Sequence, residues 1–313
     1  MKIEHNKALF ATYASLTVAG YDLADSKNVD LQSLIANIRD TLNLSNESKE
    51  FFSAARTNDY PVNPYFPVAS ELASTCFFLT KEGTSYENSQ AYFDFLAECN
   101  NGIQTSEEHK QYLLQLPEML ADALQNPLFP SLLQTHLTLV SKIAISPETD
   151  SIIEQALSRF PSIAPPSFAP CLLQSPMIAD FARYGQNLYV ISASPRPQTM
   201  LHEWLHIVLA QERGLLANLL CKQDIACLYD ASQLRKLGYL RGYTMHHHLH
   251  AMEECIVQGL TAHFAQSPIE AEAQISQLYN QGFYLSEKAW KCAQLLSPDQ
   301  NNFQTYLTKL FLS

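Results

Sequence analysis

Residues 199–210 read TMLHEWLHIVLA, an apolar stretch that carries two histidines and a glutamate. His202 and His206 are four residues apart, so on an α-helix they differ by about 40° in direction and face the same way. Two imidazoles in that relation can bind one zinc ion. Glu203 lies about 100° further round, too far to ligate the same ion but within reach of a water that the ion activates. The stretch therefore predicts a helix with two metal ligands and a general base.

The residues around the two histidines also fit a zinc-peptidase helix. The stricter form of the H-E-x-x-H pattern requires Thr or Val three residues before the first histidine, and uncharged residues around the pair. The chain fulfils this at six positions: Thr199, Met200, Trp204, Leu205, Ile207 and Val208. The alternative is an ordinary buried helix with two incidental histidines. We favour the metal site, because ligands are the polar groups that a buried helix tolerates at low cost.

A catalytic zinc needs a third protein ligand and one open position. The metzincin pattern would place Gly at 209 and His at 212, but the chain has Leu209 and Glu212, so that class is excluded. The other common solution takes a glutamate from a second helix downstream. The stretch HAMEECIVQGLTAHF (250–264) supplies two candidates, Glu253 and Glu254.

Helical periodicity separates the two glutamates. Glu254 shares its stripe with polar residues that can face a cleft: His247, His250 and Gln258. Glu253 shares its stripe with residues typical of packing: Leu249, Val257 and Leu260. We favour Glu254 as the third ligand, keep Glu253 as the fallback, and expect the non-ligating glutamate on a solvated helix face. Asp224 is a further alternative.

Several polar residues near the second helix are candidates for stabilising an oxyanion or supporting the ligands. They are His250, Tyr243 and His247, with Tyr239 as a rival, and the sequence does not choose among them. The run HHH at 246–248 also suggests a second metal cluster. Consecutive histidines point about 100° apart on a helix, so we favour a polar helix start instead.

Residues 187–210 and 250–263 resemble the active-site strand, active-site helix and glutamate helix of the gluzincin metallopeptidases. More closely, the chain resembles an uncharacterised bacterial family of predicted gluzincins. That family has a GYD segment near the start of a helical N-terminal region, here Gly20, Tyr21 and Asp22, and a glutamate helix that reads roughly E-x-I-V-R-A. Glu254, Ile256 and Val257 match the latter pattern. The resemblance implies a zinc peptidase with a zincin-like fold.

The chain departs from these relatives in two ways. His206 and Glu254 are 254 − 206 = 48 positions apart, wider than in compact gluzincins such as thermolysin, which implies an insertion between the two helices. Gln258 and Gly259 replace the Arg and Ala of the pattern. The loss of the arginine bears on specificity rather than on the metal.

The rest of the chain predicts an α+β fold that is mostly helical, with a small mixed sheet in a zincin-like catalytic region. Helical stripes and caps (Asp30, Thr105 and Ser146) fill residues 1–160. Four prolines in 161–170 exclude a helix or a central strand, so this stretch is the expected connection to a catalytic region at 171–313. Residues 187–194 are the expected edge strand, whose free edge would bind an extended peptide.

Composition narrows the classes of partner and compartment. The net charge of −11 argues against nucleic acid, since phosphate binding needs a basic surface. No apolar run reaches the roughly 18 residues of a membrane span. Seven scattered cysteines and an N-terminus that reads as an amphipathic helix rather than a signal peptide favour the cytoplasm, although signal-independent secretion would leave the same sequence.

The sequence therefore predicts a zinc-dependent peptidase that acts on a peptide or protein substrate. Glu203 is the expected general base, and Zn²⁺ the expected cofactor. The alternative is a non-catalytic scaffold in which the metal stabilises the helix pair. Against it, a structural site has no use for a carboxylate beside an activated water. Substrate preference, endo- or exopeptidase action and oligomeric state are not indicated.

Overall fold

A computed structural model describes residues 1–55, 69–99, 105–160, 164–237, 239–240, 244–295 and 303–312, without the side chains of His246 and Leu312. These residues are mostly helical and form one four-stranded mixed sheet, which confirms the α+β class. The chain divides into two compact units. The first comprises Met1–Ala97, Gln104–Ile145 and Pro166–Pro195, and the second Glu98–Ile103, Ser146–Pro165 and Arg196–Ser313.

The boundaries between these two units differ from the single boundary expected at 161–170. The three strands after residue 165 belong with the N-terminal helices, and the helix before residue 160 belongs with the C-terminal ones. The sequence leaves two alternatives for residues 1–160, an independent domain or the helical half of one body, and limited proteolysis at 161–170 distinguishes them.

The first unit contains nine helices among its described residues, together with all four described strands. The helices are α1 (Lys7–Val18), α2 (Val29–Thr41), α3 (Asn46–Ala54), α4 (Ala69–Thr75), α5 (Ser89–Cys99, whose last two residues belong to the second unit), α6 (Glu107–Leu114), α7 (Leu116–Met119), α8 (Ala121–Gln125) and α9 (Phe129–Val140). A 3-10 turn follows α4 at Cys76–Phe78. The strands are β1 (Lys2–Ile3), β2 (Ser167–Pro170), β3 (Ala179–Tyr184) and β4 (Asn187–Ser192).

The sheet has the strand order β1-β2-β4-β3. β2 runs parallel to β1 and β4, and β3 pairs antiparallel with β4 through a two-residue turn in which Gly185 has a φ of 61°. Such tight hairpin turns need positive φ, which glycine adopts without a Cβ clash. The expectation of an edge strand at 187–194 is therefore wrong. β4 lies between β2 and β3, and its continuous buried run from Leu188 to Ser192 is typical of a strand covered on both faces.

The proline-rich stretch 161–170 also contains a central strand, contrary to expectation. β2 occupies its last four residues, and Phe168 and Ala169 in it are fully buried. Cys171 donates its N–H to the Ser192 carbonyl of β4 at 3.0 Å. Because backbone donors alternate in direction along a strand, residue 170 faces the opposite neighbour, β1, whose pairing ends at Phe168. Pro170 therefore removes no ladder hydrogen bond.

Two of the three expected helix caps are displaced by one or two residues. α2 is capped by Asn28 rather than Asp30, and α6 by Ser106 rather than Thr105; in each case the side-chain oxygen accepts the N–H three residues on. Ser146 caps α10, as expected. Adjacent residues with equivalent side-chain oxygens compete for one cap, and helical periodicity alone does not separate them.

α1 is buried on every side from Ala8 to Thr17, so the expectation of an amphipathic N-terminal helix is wrong. It contacts α2, α3 and α4, which surround it. Small side chains among the larger ones let these neighbours approach closely. None of the helices in the described parts of the chain has the length and apolar character needed to cross a membrane.

The secondary structure elements described in the second unit are all helices or 3-10 turns. Its helices are α10 (Pro147–Arg159), α11 (Pro197–Gln211), α12 (Arg213–Leu220), α13 (Ala231–Lys236), α14 (Met245–Ala265), α15 (Pro268–Asn280), α16 (Tyr284–Gln294) and α17 (Phe303–Leu312). A 3-10 turn lies at Ile225–Cys227.

α11 begins with Pro197 in the first turn, where a missing N–H costs nothing. It contacts α10 and α14. Trp204 is fully buried, and its indole N–H donates to the carbonyl of Ala164 at 3.0 Å. A large side chain with both its ring and its donor satisfied fixes the rotation of the helix about its axis.

α14 packs closely on α16 at Gly259. A Cβ at this position would lie 2.5 Å from the carbonyl oxygen of Ser286 and 2.8 Å from the Cβ of Ala289. The Ser286 hydroxyl also donates to the carbonyl of Cys255 at 2.8 Å. The glycine therefore lets the two helix backbones come nearer than any side chain would allow.

Candidate metal centre

α11 directs His202 and His206 to the same side, as the four-residue spacing predicts. Their Nε2 atoms lie 3.1 Å apart, and the ring planes are steeply inclined to each other, at 70°. His206 is buried, whereas His202 is half-buried. Two imidazole nitrogens thus converge on one point at the margin of the protein interior.

α14 brings Glu254 to the same point. Its carboxylate oxygens lie 3.6 Å from Nε2 of His202 and 3.3 Å from Nε2 of His206. The three ligand atoms all lie within 4.8 Å of one another. Among the described residues this is the single group of three or more His, Cys, Asp or Glu side chains that close together. The expected trio of His202, His206 and Glu254 is therefore assembled by the fold.

Glu253 faces the other side of the His206 ring. Its Oε1 lies 3.0 Å from Nδ1 of His206, while Glu254 faces Nε2. Glu253 is 1% exposed and Glu254 is 5% exposed, so the expectation that one of them lies on a solvated helix face is wrong. The fallback residue for metal ligation instead supports a histidine from behind, the outer position in which metal-binding histidines commonly have a carboxylate.

Arg213, at the start of α12, holds the Glu253 carboxylate. Nε donates to Oε2 at 3.2 Å, and Nη2 lies 3.1 Å from Oε1 and 2.8 Å from Oε2. Nη1 donates to the backbone carbonyl of Glu98. Arg213 is 8% exposed, which is rare for an arginine unless it is paired. Sequence reasoning missed this residue, although an arginine directly after a long apolar helix was a usable signal.

Gln258 supports the carboxylate of Glu254 directly. Its Nε2 donates to Oε1 of Glu254 at 2.7 Å, one helical turn away on α14. This is the supporting role that the shared polar stripe suggested for Gln258. Since Oε1 accepts this bond, the carboxylate is held in one orientation towards the histidines.

Burial and charge give the two histidines opposite pKa shifts. Burial lowers the pKa of His202 to about 4, despite the opposing effect of Glu254. Burial also disfavours the charged form of His206, but hydrogen bonds with Glu253 and Glu254 outweigh this and raise its pKa to about 10. His206 then donates from both ring nitrogens, and Nε2 of His202 accepts.

The carboxylates are kept ionised. Burial tends to raise the pKa of Glu253, but Arg213 and His206 lower it to about 2. The pKa of Glu254 is also well below its usual value, because His202, His206 and Gln258 together outweigh its burial. Without a metal, the charged Arg213 and His206 balance the two carboxylates. A cation between the three ligand atoms would take the place of the proton on Nε2 of His206.

The donor set fits zinc. Two imidazole nitrogens and one carboxylate oxygen make up the three-ligand set of a catalytic zinc site, whereas hard ions such as Mg²⁺ and Ca²⁺ prefer oxygen alone. His206 has a carboxylate at its second nitrogen, and Glu254 has an amide at one oxygen. The residues present are thus those that such an ion requires, including the outer hydrogen bonds that fix ligand orientation.

Glu203 follows His202 on α11 and is partly exposed. As the neighbour of a ligand, it points to a different side of the helix from the two histidines. The role of general base for Glu203 stays a prediction of the sequence.

The histidine run at 246–248 has other contacts. His247 lies 2.6 Å from the Thr244 hydroxyl, and Nδ1 of His248 lies 2.6 Å from the hydroxyl of Tyr229. Neither belongs to the group of His202. These bonds agree with the interpretation of a polar helix start.

The remaining candidates are spread over the second unit. His250 is half-buried on α14, and its charge contributes to the low pKa of Glu253. The ring of Tyr239 packs edge-on against Phe283, with centroids 5.1 Å apart. Asp224 is exposed and caps the 3-10 turn that follows it, so it is not among the grouped ligand atoms. Tyr243 lies outside the described residues.

Comparison of this chain with protein-family models, with curated proteins and with solved structures finds no match. The resemblance to the gluzincins therefore depends on the sequence motifs alone, and membership of that group stays a prediction.

Proposed function

We propose that this chain is a zinc-dependent peptidase of the gluzincin type, in which α11 and α14 form the zincin helix pair. His202, His206 and Glu254 hold the ion. The observation that carries the proposal is the convergence of these three ligand atoms within 4.8 Å, in a chain whose first ligand is followed directly by Glu203. A purely structural site has no use for that fourth group.

When bound, a zinc ion supplies the Lewis acidity that acidifies a water and polarises a substrate carbonyl. Glu203 accepts the proton of the attacking water and delivers it to the leaving amine. Gln258 and Glu253 hold the outer atoms of Glu254 and His206, which keeps these two ligands in one orientation. His202, His206 and Glu254 thus bind the ion, whereas Glu203 transfers the proton.

The proposal is tested by Glu203→Gln. The three ligands and their supporting bonds stay in place, so about one zinc per chain and near-normal stability are expected. Hydrolysis of a mixed peptide library is expected to fall by about 10²–10⁴-fold, the usual loss on removing a general base. The matched control is Glu212→Gln, a half-buried residue at the C-terminal cap of α11 whose partner is Gln304.

Three results decide between the functions. One zinc per chain with cleavage by the wild type and not by Glu203→Gln supports the peptidase. One zinc per chain without cleavage of any peptide supports a metal-stabilised scaffold. A wild type that does not bind zinc contradicts both.

A further inference from the structure

We propose that Arg213 is a positioning residue that decides which of two adjacent glutamates is offered to the metal. It holds Glu253 behind His206 and so leaves Glu254 to face both histidines. This inference rests on the proposed zinc site, and it concerns ligand choice rather than the reaction.

The choice exists because both glutamates reach the same imidazole. Glu253 contacts Nδ1 of His206 at 3.0 Å, and Glu254 approaches Nε2 at 3.3 Å. Successive residues of a helix differ by about 100°, so the two carboxylates flank the ring instead of sharing one side. Both are buried, and a buried carboxylate without a cation is costly. Each therefore needs its own positive partner.

Arg213 satisfies Glu253 completely. Its fork engages both carboxylate oxygens through Nε and Nη2, at 2.8 to 3.2 Å. Its remaining nitrogen, Nη1, bonds to the backbone at Glu98, which fixes the direction of the guanidinium. A lysine has no planar fork and cannot bind both oxygens in this way. Glu253 is thus fully engaged and unavailable as a ligand.

The held carboxylate then acts on His206. It accepts a hydrogen bond from Nδ1–H of His206, which directs Nε2 towards His202 and Glu254. If Arg213 were removed, Glu253 would keep its bond to His206 but lose the guanidinium that compensates its charge, and it would compete for the cation. Arg213 thus influences the metal only through Glu253.

A double-mutant cycle measures this dependence with zinc ions as the probe. Zinc affinity is determined by competition with a chromophoric chelator for the wild type, Arg213→Met, Glu253→Gln and the double variant. Arg213→Met is expected to weaken zinc binding about 10–100-fold, as for other outer-sphere partners. In the Glu253→Gln background, where the amide oxygen still accepts from His206, the same change is expected to alter affinity less than about 3-fold. Glu212→Gln is the control.

A second readout identifies the ligands. The visible absorption of the protein loaded with Co²⁺ reports its coordination. It is expected to change in Arg213→Met and to remain that of the wild type in Glu212→Gln and in the double variant. Arg213→Lys keeps the charge without the fork, and an intermediate loss of zinc affinity is expected, so the test stands even where Arg213→Met does not fold.

Two results would overturn the inference. One is an equal effect of Arg213→Met in both backgrounds, which would mean that Arg213 merely packs. The other is a folded Arg213→Lys with wild-type zinc affinity and cobalt spectrum. A wild type without zinc affinity would instead end the proposed function and this inference together.

Discussion

Two carboxyl groups, Asp180 in the first unit and Glu253 in the second, have pKa values that are shifted in opposite directions. Burial raises the pKa of Asp180 in β3 to about 7, because the side-chain hydrogen bonds from Gln174 and Ser70 compensate only in part. The pKa of Glu253 in α14 is lowered to about 2, because Arg213 and His206 outweigh burial. Gln174 donates to Asp180 at 2.6 Å, a bond as short as those that Arg213 makes.

The difference shows what a neutral partner cannot do. An amide satisfies the hydrogen-bonding capacity of a carboxylate, but it does not compensate its charge, so burial still favours the protonated form. An arginine compensates both. The second unit can therefore keep Glu253 and Glu254 ionised side by side, as a cation site needs. In the first unit, the pKa of Asp180 is close to neutral pH.

Among the changes proposed here, the removal of Glu254 is expected to have the largest effect, a loss of zinc binding. Glu254→Ala leaves two imidazoles, which make a poor zinc site, so a loss of zinc affinity above about 100-fold is expected, beyond the range of outer residues. Asp180→Asn, in the other unit, is expected to keep one zinc per chain. Metal content after dialysis against a weak chelator measures both.

The same measurement on Glu253→Ala checks the assignment of ligands. If Glu253→Ala loses the metal and Glu254→Ala keeps it, the two glutamates have been exchanged. If both keep it, Asp224 or another residue completes the site and the gluzincin assignment fails.

The next effect is on stability. Glu253→Ala leaves Arg213 as a buried charge without its carboxylate, which is expected to lower the free energy of unfolding by about 3–5 kcal/mol. Urea denaturation of the chelator-treated protein at pH 7.5 gives the value. Replacing both residues with methionine removes both charges, and recovery of most of the loss is expected. Equal destabilisation by the single and double changes would mean that the ion pair is not the cause.

The third prediction concerns the effect of Asp180 on the pH dependence of stability. The folded state holds the Asp180 proton up to about pH 7, whereas the unfolded chain releases it near 3.8. Since the folded state binds more protons between these values, this group lowers stability as pH rises from about 4 to 7. Asp180→Asn is expected to remove that slope and to gain on the order of a few kcal/mol at pH 8, since the shift spans about three pKa units of about 1.4 kcal/mol each.

Parallel urea titrations of wild type and Asp180→Asn at pH 5 and pH 8 test this. The difference between the two proteins should be larger at pH 8. An unchanged difference would show that Asp180 ionises normally in the folded chain.

The smallest effect is expected at Gln258. Gln258→Ala removes one hydrogen bond to Glu254, worth about 1.5–3 kcal/mol when the partner is charged, but water can replace part of it. We expect less than a 10-fold loss of zinc affinity. Gln294→Ala, at the exposed end of α16, is the control. A loss as large as that of Glu254→Ala would make Gln258 essential to the ligand rather than supportive.

Local periodicity predicted the parts of the site that lie along one helix. The four-residue spacing placed His202 and His206 together, and the polar stripe pointed to Glu254 with Gln258 beside it. The role of Arg213 was not predicted, because its partner Glu253 is 40 positions away in the sequence. Nothing in the spacing within α11 or α14 indicates that contact. The expectation of a solvated Glu253 failed for the same reason: its apolar stripe indicates burial, but no local spacing shows the arginine that compensates a buried carboxylate.

The sheet was harder to predict than the site. β4 was recognised from its apolar run, but β1 has only two residues, and β2 ends in Pro170. β3 alternates weakly, and its signal was the two-residue spacer Gly185–Gln186 before β4. Strand order depends on pairing between segments more than 160 residues apart, such as Lys2 with Ser167, which no local pattern encodes.

The contact at Gly259 constrains how this chain can vary. An alanine Cβ here would lie 2.5 Å from a carbonyl oxygen of α16. Alanine would therefore push the two helices apart unless residues of α16 changed as well. Such a shift would also move Glu254, five residues away on the same helix. The distance between the two helix backbones is thus a dimension of the site, and position 259 sets it with a single hydrogen atom as its side chain.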